Sequence, residues 1–130
     1  MTSENVIEVG DASWEKIVEK SKKPVMVMFY TLTCPYCKQM EPHFEEYAKE
    51  FKEKVKFVRV NAADNPFVAE RYSIMGTPTF KFFCNGHSIK ELSGAMYPAL
   101  LKKAVEEGLQ HGPECEKNTT WIDPGITGYA

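Results

Sequence analysis

Two cysteines separated by two residues, Cys34-Pro35-Tyr36-Cys37, are the side chains of this sequence best placed to do chemistry, and that chemistry is reversible dithiol–disulfide exchange. The attacking species in such exchange is a thiolate, whereas a free thiol with a pKa of about 8.5 is mostly protonated at neutral pH. A cysteine at the mouth of a helix meets unpaired N–H groups and the positive end of the helix dipole, and both favour the anion. The flanking residues predict that setting. Val25-Met26-Val27-Met28-Phe29-Tyr30 reads as an interior strand, and from Lys38 onward Met40, Phe44, Tyr47, Ala48 and Phe51 fall at helical spacing. Cys34 is therefore the expected nucleophile. Cys37, one turn further in and less exposed, is the expected resolving thiol, which attacks the mixed disulfide that Cys34 forms with a substrate. Pro35 lacks an N–H and has φ near the helical value, so it suits the first turn. Tyr36 is expected as a surface contact beside the sulfurs.

The elements that must hold this pair can be traced along the chain. Val6 to Val9 can form a short strand, and Asp11 or Ser13 can cap a helix that buries Trp14, Ile17 and Val18, closed by Lys22-Lys23-Pro24. After the strand at 25–30 and the helix to about Phe51, Val55 to Val60 reads as a further strand, completing a βαβ unit. Asp64-Asn65-Pro66 looks like a cap followed by a proline at the first helical position, starting a short helix through Tyr72. Thr79 to Phe83 and Ser88 to Leu92 flank Asn85-Gly86, a strong hairpin signal. A last helix from Pro98 to about Gln110 buries Leu101, Ala104, Val105 and Leu109, and Gly112-Pro113 ends it. The expected order is β-α-β-α-β-α-β-β-α, an α/β domain over residues 1–112 with a C-terminal extension at 113–130.

Composition narrows the function classes. With 130 residues one domain is expected, and a net charge of −2 with Lys and Glu interleaved gives no nucleic-acid footprint. Met1 to Asn5 lacks the basic and apolar regions of a signal peptide, and no apolar run approaches the roughly 20 residues of a membrane span. A soluble, cytoplasmic, monomeric protein is the expectation. Four cysteines are too few for a secreted disulfide scaffold.

The element order, the Cys-x-x-Cys opening the second helix and Gly76-Thr77-Pro78-Thr79 opening the hairpin together resemble the thioredoxin family over roughly residues 4–110. Pro42 looks like that family's kink proline, and Asn61 with Asp64-Asn65-Pro66 is similar to its strand-to-helix turn. The resemblance implies a thioredoxin-like fold, a central mixed β-sheet flanked by helices. It also implies a cis bond before Pro78, with Thr77 offering backbone hydrogen bonds to an extended substrate, and Gly94 completing the groove. It implies no cofactor beyond the redox-active disulfide Cys34–Cys37, protein disulfides as substrates, and a reductase or glutathione as electron donor.

Three departures stand out. Thioredoxins usually carry Trp-Cys-Gly-Pro-Cys, whereas Thr33 precedes this pair and Pro35-Tyr36 fills it, as in glutaredoxins. Six residues before Cys34, where the family buries an aspartate that helps move the resolving thiol's proton, this chain has Met28. Arg59 aligns with a family lysine near that acid. It is either a cation that helps stabilise the Cys34 thiolate or a solvated arginine on the outer side of its strand. Water or Lys38 are the remaining acceptors for the Cys37 proton, with Lys38 read first as a solvated helix residue.

The same residues admit other readings. Zinc needs two ligands beyond Cys34 and Cys37, and His43, Cys84, His87, His111 and Cys115 show no second close pair, so no metal site is expected. Cys84 and Cys115 could form a disulfide or a second redox pair and are read first as independent thiols, and His43 is read as solvated. Two alternatives remain open at this point: a module whose dithiol bridges an iron–sulfur cluster with outside thiols, and a glutathione-linked, glutaredoxin-like reductase.

Overall fold

The computed structural model describes residues 5–110. The expectations for Gly112-Pro113, for Cys115 and for residues 113–130 as an appendage lie outside the described residues. Among the described residues five strands form one sheet: β1 (Val6–Glu8), β2 (Val25–Tyr30), β3 (Lys56–Asn61), β4 (Thr79–Cys84) and β5 (His87–Ser93), in the order β1-β3-β2-β4-β5. β3 runs parallel to β1 and β2, whereas β4 is antiparallel to β2 and β5. The sheet is therefore mixed, as expected. Among the described residues three α-helices accompany it: α1 (Pro35–Glu50), α2 (Pro66–Arg71) and α3 (Pro98–Gln110).

Alternation along β2 divides the core in two. Met26 and Met28 point to the face covered by α1 and α3, where they join Cys34, Cys37, Met40, Phe44, Phe57, Phe80 and Leu101. Val25, Val27 and Phe29 point to the other face, where they meet Trp14, Val18, Val58, Val60, Val68 and Phe83. Each fully buried side chain of this size contributes about 1.5–3 kcal/mol relative to exposure. The two thiols thus belong to the larger cluster rather than to a loop outside it. The hairpin forms where Asn85-Gly86 predicts it, with φ of 53° and 80°, the double positive φ of a two-residue turn. Buried Gly108 lets α3 approach β4 closely, since a Cβ there would lie 2.6 Å from the Phe82 ring.

Four local expectations are corrected. The helical segment after β1 is a single π-type turn, Glu15–Glu19, in which the Lys20 N–H reaches the Glu15 carbonyl at 2.9 Å. Neither Asp11 nor Ser13 caps it with a side chain. Asp11 instead accepts the N–H groups of Phe67 and Val68, at 3.3 and 3.0 Å, and so caps α2. Asn65, in the cap position of α2, does not cap it: its side chain accepts from the Asp11 N–H and donates to the Asn61 carbonyl. Leu109 is only partly buried, because α3 turns Gly108 rather than Leu109 onto β4.

Candidate active site

β2 ends at Tyr30 and α1 begins at Pro35, so the intervening loop delivers Cys34 to the helix mouth. Cys34 has extended backbone angles and caps α1 with its own sulfur, which accepts the Cys37 N–H at 3.1 Å. Pro35 takes the first helical position. Cys37 lies deeper, 3% exposed against 8% for Cys34, and both are free thiols. Pro35 and Tyr36 are exposed beside them. Within α1, Pro42 has no N–H to offer the Lys38 carbonyl one turn back.

The two sulfurs are driven apart in acidity. Burial disfavours the Cys34 anion, but the Cys37 thiol, the Thr77 side chain and the backbone N–H groups of Cys37 and Tyr36 outweigh it, so Cys34 lies below the ordinary thiol value. The protonated Cys34 thiol donates to the Thr77 carbonyl at 3.4 Å. Cys37 is pushed up to about 11, first by burial and then by donating its proton toward Cys34. Such a pair holds one proton between its sulfurs on the Cys37 side.

The loop facing the dithiol carries the other expected contacts. The Thr77–Pro78 bond is cis. The Thr79 hydroxyl donates to the Gly76 carbonyl at 2.7 Å, and the Gly94 N–H donates to the Pro78 carbonyl at 2.8 Å. Gly94 has φ of 84°, which a side chain would strain. Thr77, Pro78 and Gly94 line one groove, with the fully accessible Met75 at its edge, and Thr77 ties that groove to Cys34.

Arg59 is not a solvated surface residue. It lies on the α1 face of the sheet beside Met28, its partner in the β2–β3 register, and it is 8% exposed. Its Nε donates to Glu8 Oε1 at 2.6 Å and its Nη1 to Glu41 Oε2 at 2.5 Å. Its guanidinium also stacks 4.9 Å from the centre of the Tyr30 ring, whose hydroxyl donates to Glu8 at 2.8 Å. Arg59 faces the Cys37 side: a cavity of about 120 Å³ is lined by Met28, Cys37, Lys38, Glu41 and Arg59 together with Tyr30, Thr31 and Leu32. Lys38 is exposed at its rim.

Glu41 and Glu8 were not singled out by sequence reasoning. The available signal for Glu41 was its position four residues after Cys37, the next turn on the same helix face. Glu8 carried none, because its partner is 51 residues away. Cys84 is corrected: it is disulfide-bonded rather than an independent thiol, and spacing alone does not disclose pairing. Cys115 lies outside the described residues. Among the described residues, no group of three or more His, Cys, Asp or Glu side chains is placed to hold a metal ion. Among them, too, no helix is long and apolar enough to cross a membrane.

A family model described as Thioredoxin matches residues 5–107. The chain is 36% identical over 99 residues to the chloroplastic M-type thioredoxin of Pisum sativum, covering 76% of this chain and 58% of that protein. It is 36% identical over 104 residues to the chloroplastic M-type thioredoxin of Spinacia oleracea, with 80% and 58% covered. To thioredoxin 1 of Synechococcus elongatus it is 33% identical over 101 residues, with 78% and 94% covered. The chain therefore spans little more than half the length of these two plant relatives.

Proposed function

Since this chain belongs to the thioredoxin family, we propose that it is a thiol–disulfide oxidoreductase that reduces protein disulfides through Cys34 and Cys37. The Cys34 thiolate attacks one sulfur of a substrate disulfide, giving a mixed disulfide and one substrate thiolate. Cys37 then attacks Cys34, forming the Cys34–Cys37 disulfide and releasing the second substrate thiolate. The observation that carries this reading is the split between the sulfurs, one capping a helix and lowered in pKa, the other buried behind it and raised to about 11.

Substrate binding is assigned to Pro35, Tyr36, Thr77, Pro78 and Gly94, supported by the exposure of Pro35 and Tyr36 next to Cys34 and by the groove that Thr77, Pro78 and Gly94 line, with the Thr77 carbonyl against the Cys34 sulfur. An extended peptide laid over the groove brings its disulfide to the Cys34 sulfur. The oxidised protein is returned to the dithiol by a reductase-type donor, and the protein works as a monomer. Relatives described as chloroplastic show that family membership does not by itself select the cytoplasm.

Reduction of a protein disulfide, with the dithiol regenerated by a small-molecule thiol, tests the assignment. Cys34→Ser should abolish turnover in folded protein. Turnover retained in Cys34→Ser overturns the proposed role.

A further inference from the structure

The resolving step must remove a proton from Cys37, and Cys37 is sealed at 3% exposure. In the mixed disulfide Cys34 is no longer an anion, so it cannot take that proton. Met28, against the same cavity, has no basic atom for it. Arg59 and the ammonium of Lys38 are donors only. Among the described residues lining that cavity, Glu41 is the one carboxylate.

We propose that Glu41 is the proton acceptor for Cys37, reached through water in the cavity that the two residues share. This rests on the roles given above to Cys34 and Cys37 and assigns a further residue to the same reaction. The cavity, about 120 Å³, exceeds the roughly 30 Å³ share of a water molecule, and it has polar walls. Glu41 lies one turn beyond Cys37 on α1, and its carboxylate is oriented from across the cavity by Arg59 at 2.5 Å. Arg59 is a positioning residue, anchored from its other side by Glu8.

The Cys37 S–H bond breaks and its proton passes to the Glu41 carboxylate. The Cys37 thiolate attacks Cys34 Sγ, the Cys34–Cys37 bond forms, and the bond from Cys34 to the substrate sulfur breaks. The substrate leaves as a thiolate and is protonated by the Glu41 carboxyl or by solvent. Two electrons move from the dithiol to the substrate disulfide. The charged and titratable groups around Glu41 are Arg59 from β3, Tyr30 from β2, Lys38 and Cys37 from its own helix and, through Arg59, Glu8 from β1.

The test is rapid mixing of the full-length reduced protein with a symmetrical peptide disulfide, quenched in acid, with the mixed disulfide followed by mass. Its rise reports Cys34 attack and its decay reports Cys37 attack. In Glu41→Gln the decay should slow by roughly 100-fold at pH 7, the scale of positioned acid–base catalysis, and recover as pH rises toward the value of the Cys37 thiol. The rise should keep its wild-type rate, and Glu41→Asp should retain most of the decay rate. A wild-type decay profile in Glu41→Gln overturns the proposal, as does a slowing that is equal at every pH, which marks a purely structural role. Failure of wild-type protein to form any mixed disulfide defeats the dithiol reading itself, and this inference with it.

Discussion

The N–H of Cys37 donates to the sulfur of Cys34 at 3.1 Å, so the thiol proposed to attack substrates is also the N-cap of α1. A capping oxygen satisfies one of the helix's orphan donors, and a capping sulfur does the same with more force once it is an anion. The acidity of Cys34 is thereby tied to the formation of α1 and to the state of Cys37, which shares a proton with it.

Cys34 should therefore react with iodoacetamide with a midpoint below the ordinary thiol value of about 8.5. In Cys37→Ala that midpoint should move upward, because the Cys37 thiol is the leading group that lowers it. Alkylation rates followed across pH, with the site mapped by mass, check both. An unchanged midpoint in Cys37→Ala would remove the thiol from the explanation.

The stability of the reduced protein should fall on the alkaline side. Above about 8.5 the unfolded chain has released the Cys37 proton, whereas the folded chain keeps it up to about 11. The unfolded state then binds fewer protons, so stability declines as pH rises through that window. Tyr30, raised to about 12 by burial and by Glu8, adds a slope of the same sign. Cys34 acts oppositely: its contribution is present above the ordinary thiol value and is lost as pH falls through its lowered one. Urea midpoints from pH 8 to 11 for wild type and Cys37→Ala, both reduced, should show the steeper decline in wild type.

Asp11→Ala should destabilise the protein by about 1 kcal/mol, the usual cost of losing a helix cap. Its carboxylate serves the Phe67 and Val68 N–H groups of α2 and none of the groups that set Cys34. Chemical denaturation should register the loss while the alkylation profile of Cys34 stays where it was.

Gly108→Ala should cost about 1–3 kcal/mol through overpacking. The added methyl would meet three atoms of the Phe82 ring within 2.7 Å, and Phe82 is fully buried in the sheet. A melting curve shows whether α3 can shift away from β4 at less cost.

The redox potential should lie above the roughly −270 mV of an ordinary thioredoxin, toward the roughly −200 to −230 mV of glutaredoxins. A stabilised Cys34 thiolate favours the dithiol, and for two electrons about 30 mV corresponds to about 1.4 kcal/mol. Equilibration against a glutathione buffer measures it. A value equal to or below that of an ordinary thioredoxin would show that Pro35-Tyr36 does not raise the potential.

What could be read from the sequence was what is local or periodic. The strand at Val25–Tyr30, the helix opened by Pro35 and the Asn85-Gly86 turn each carry their own signal within a few residues, and each forms where expected. Cys34 and Cys37 were legible for the same reason. The misreadings fall where a side chain serves a distant element. Asp11 looked like the cap of the segment that follows it, yet it caps a helix 56 residues on. Arg59 looked able to face solvent, because alternation along β3 does not say that Glu8 and Glu41 will close over it. The cavity beside Cys37 has no sequence signature, since it is made by β2, β3 and α1 together.

The division of roles between Cys34 and Cys37 is tested most directly by the mass of the adduct formed when each single-cysteine variant meets a peptide disulfide. Cys37→Ser should accumulate one peptide, mapped to Cys34, and Cys34→Ser should accumulate none on Cys37 over the same time at neutral pH. An adduct on Cys37 in Cys34→Ser, formed as fast as that on Cys34, would contradict the division of roles between the two sulfurs.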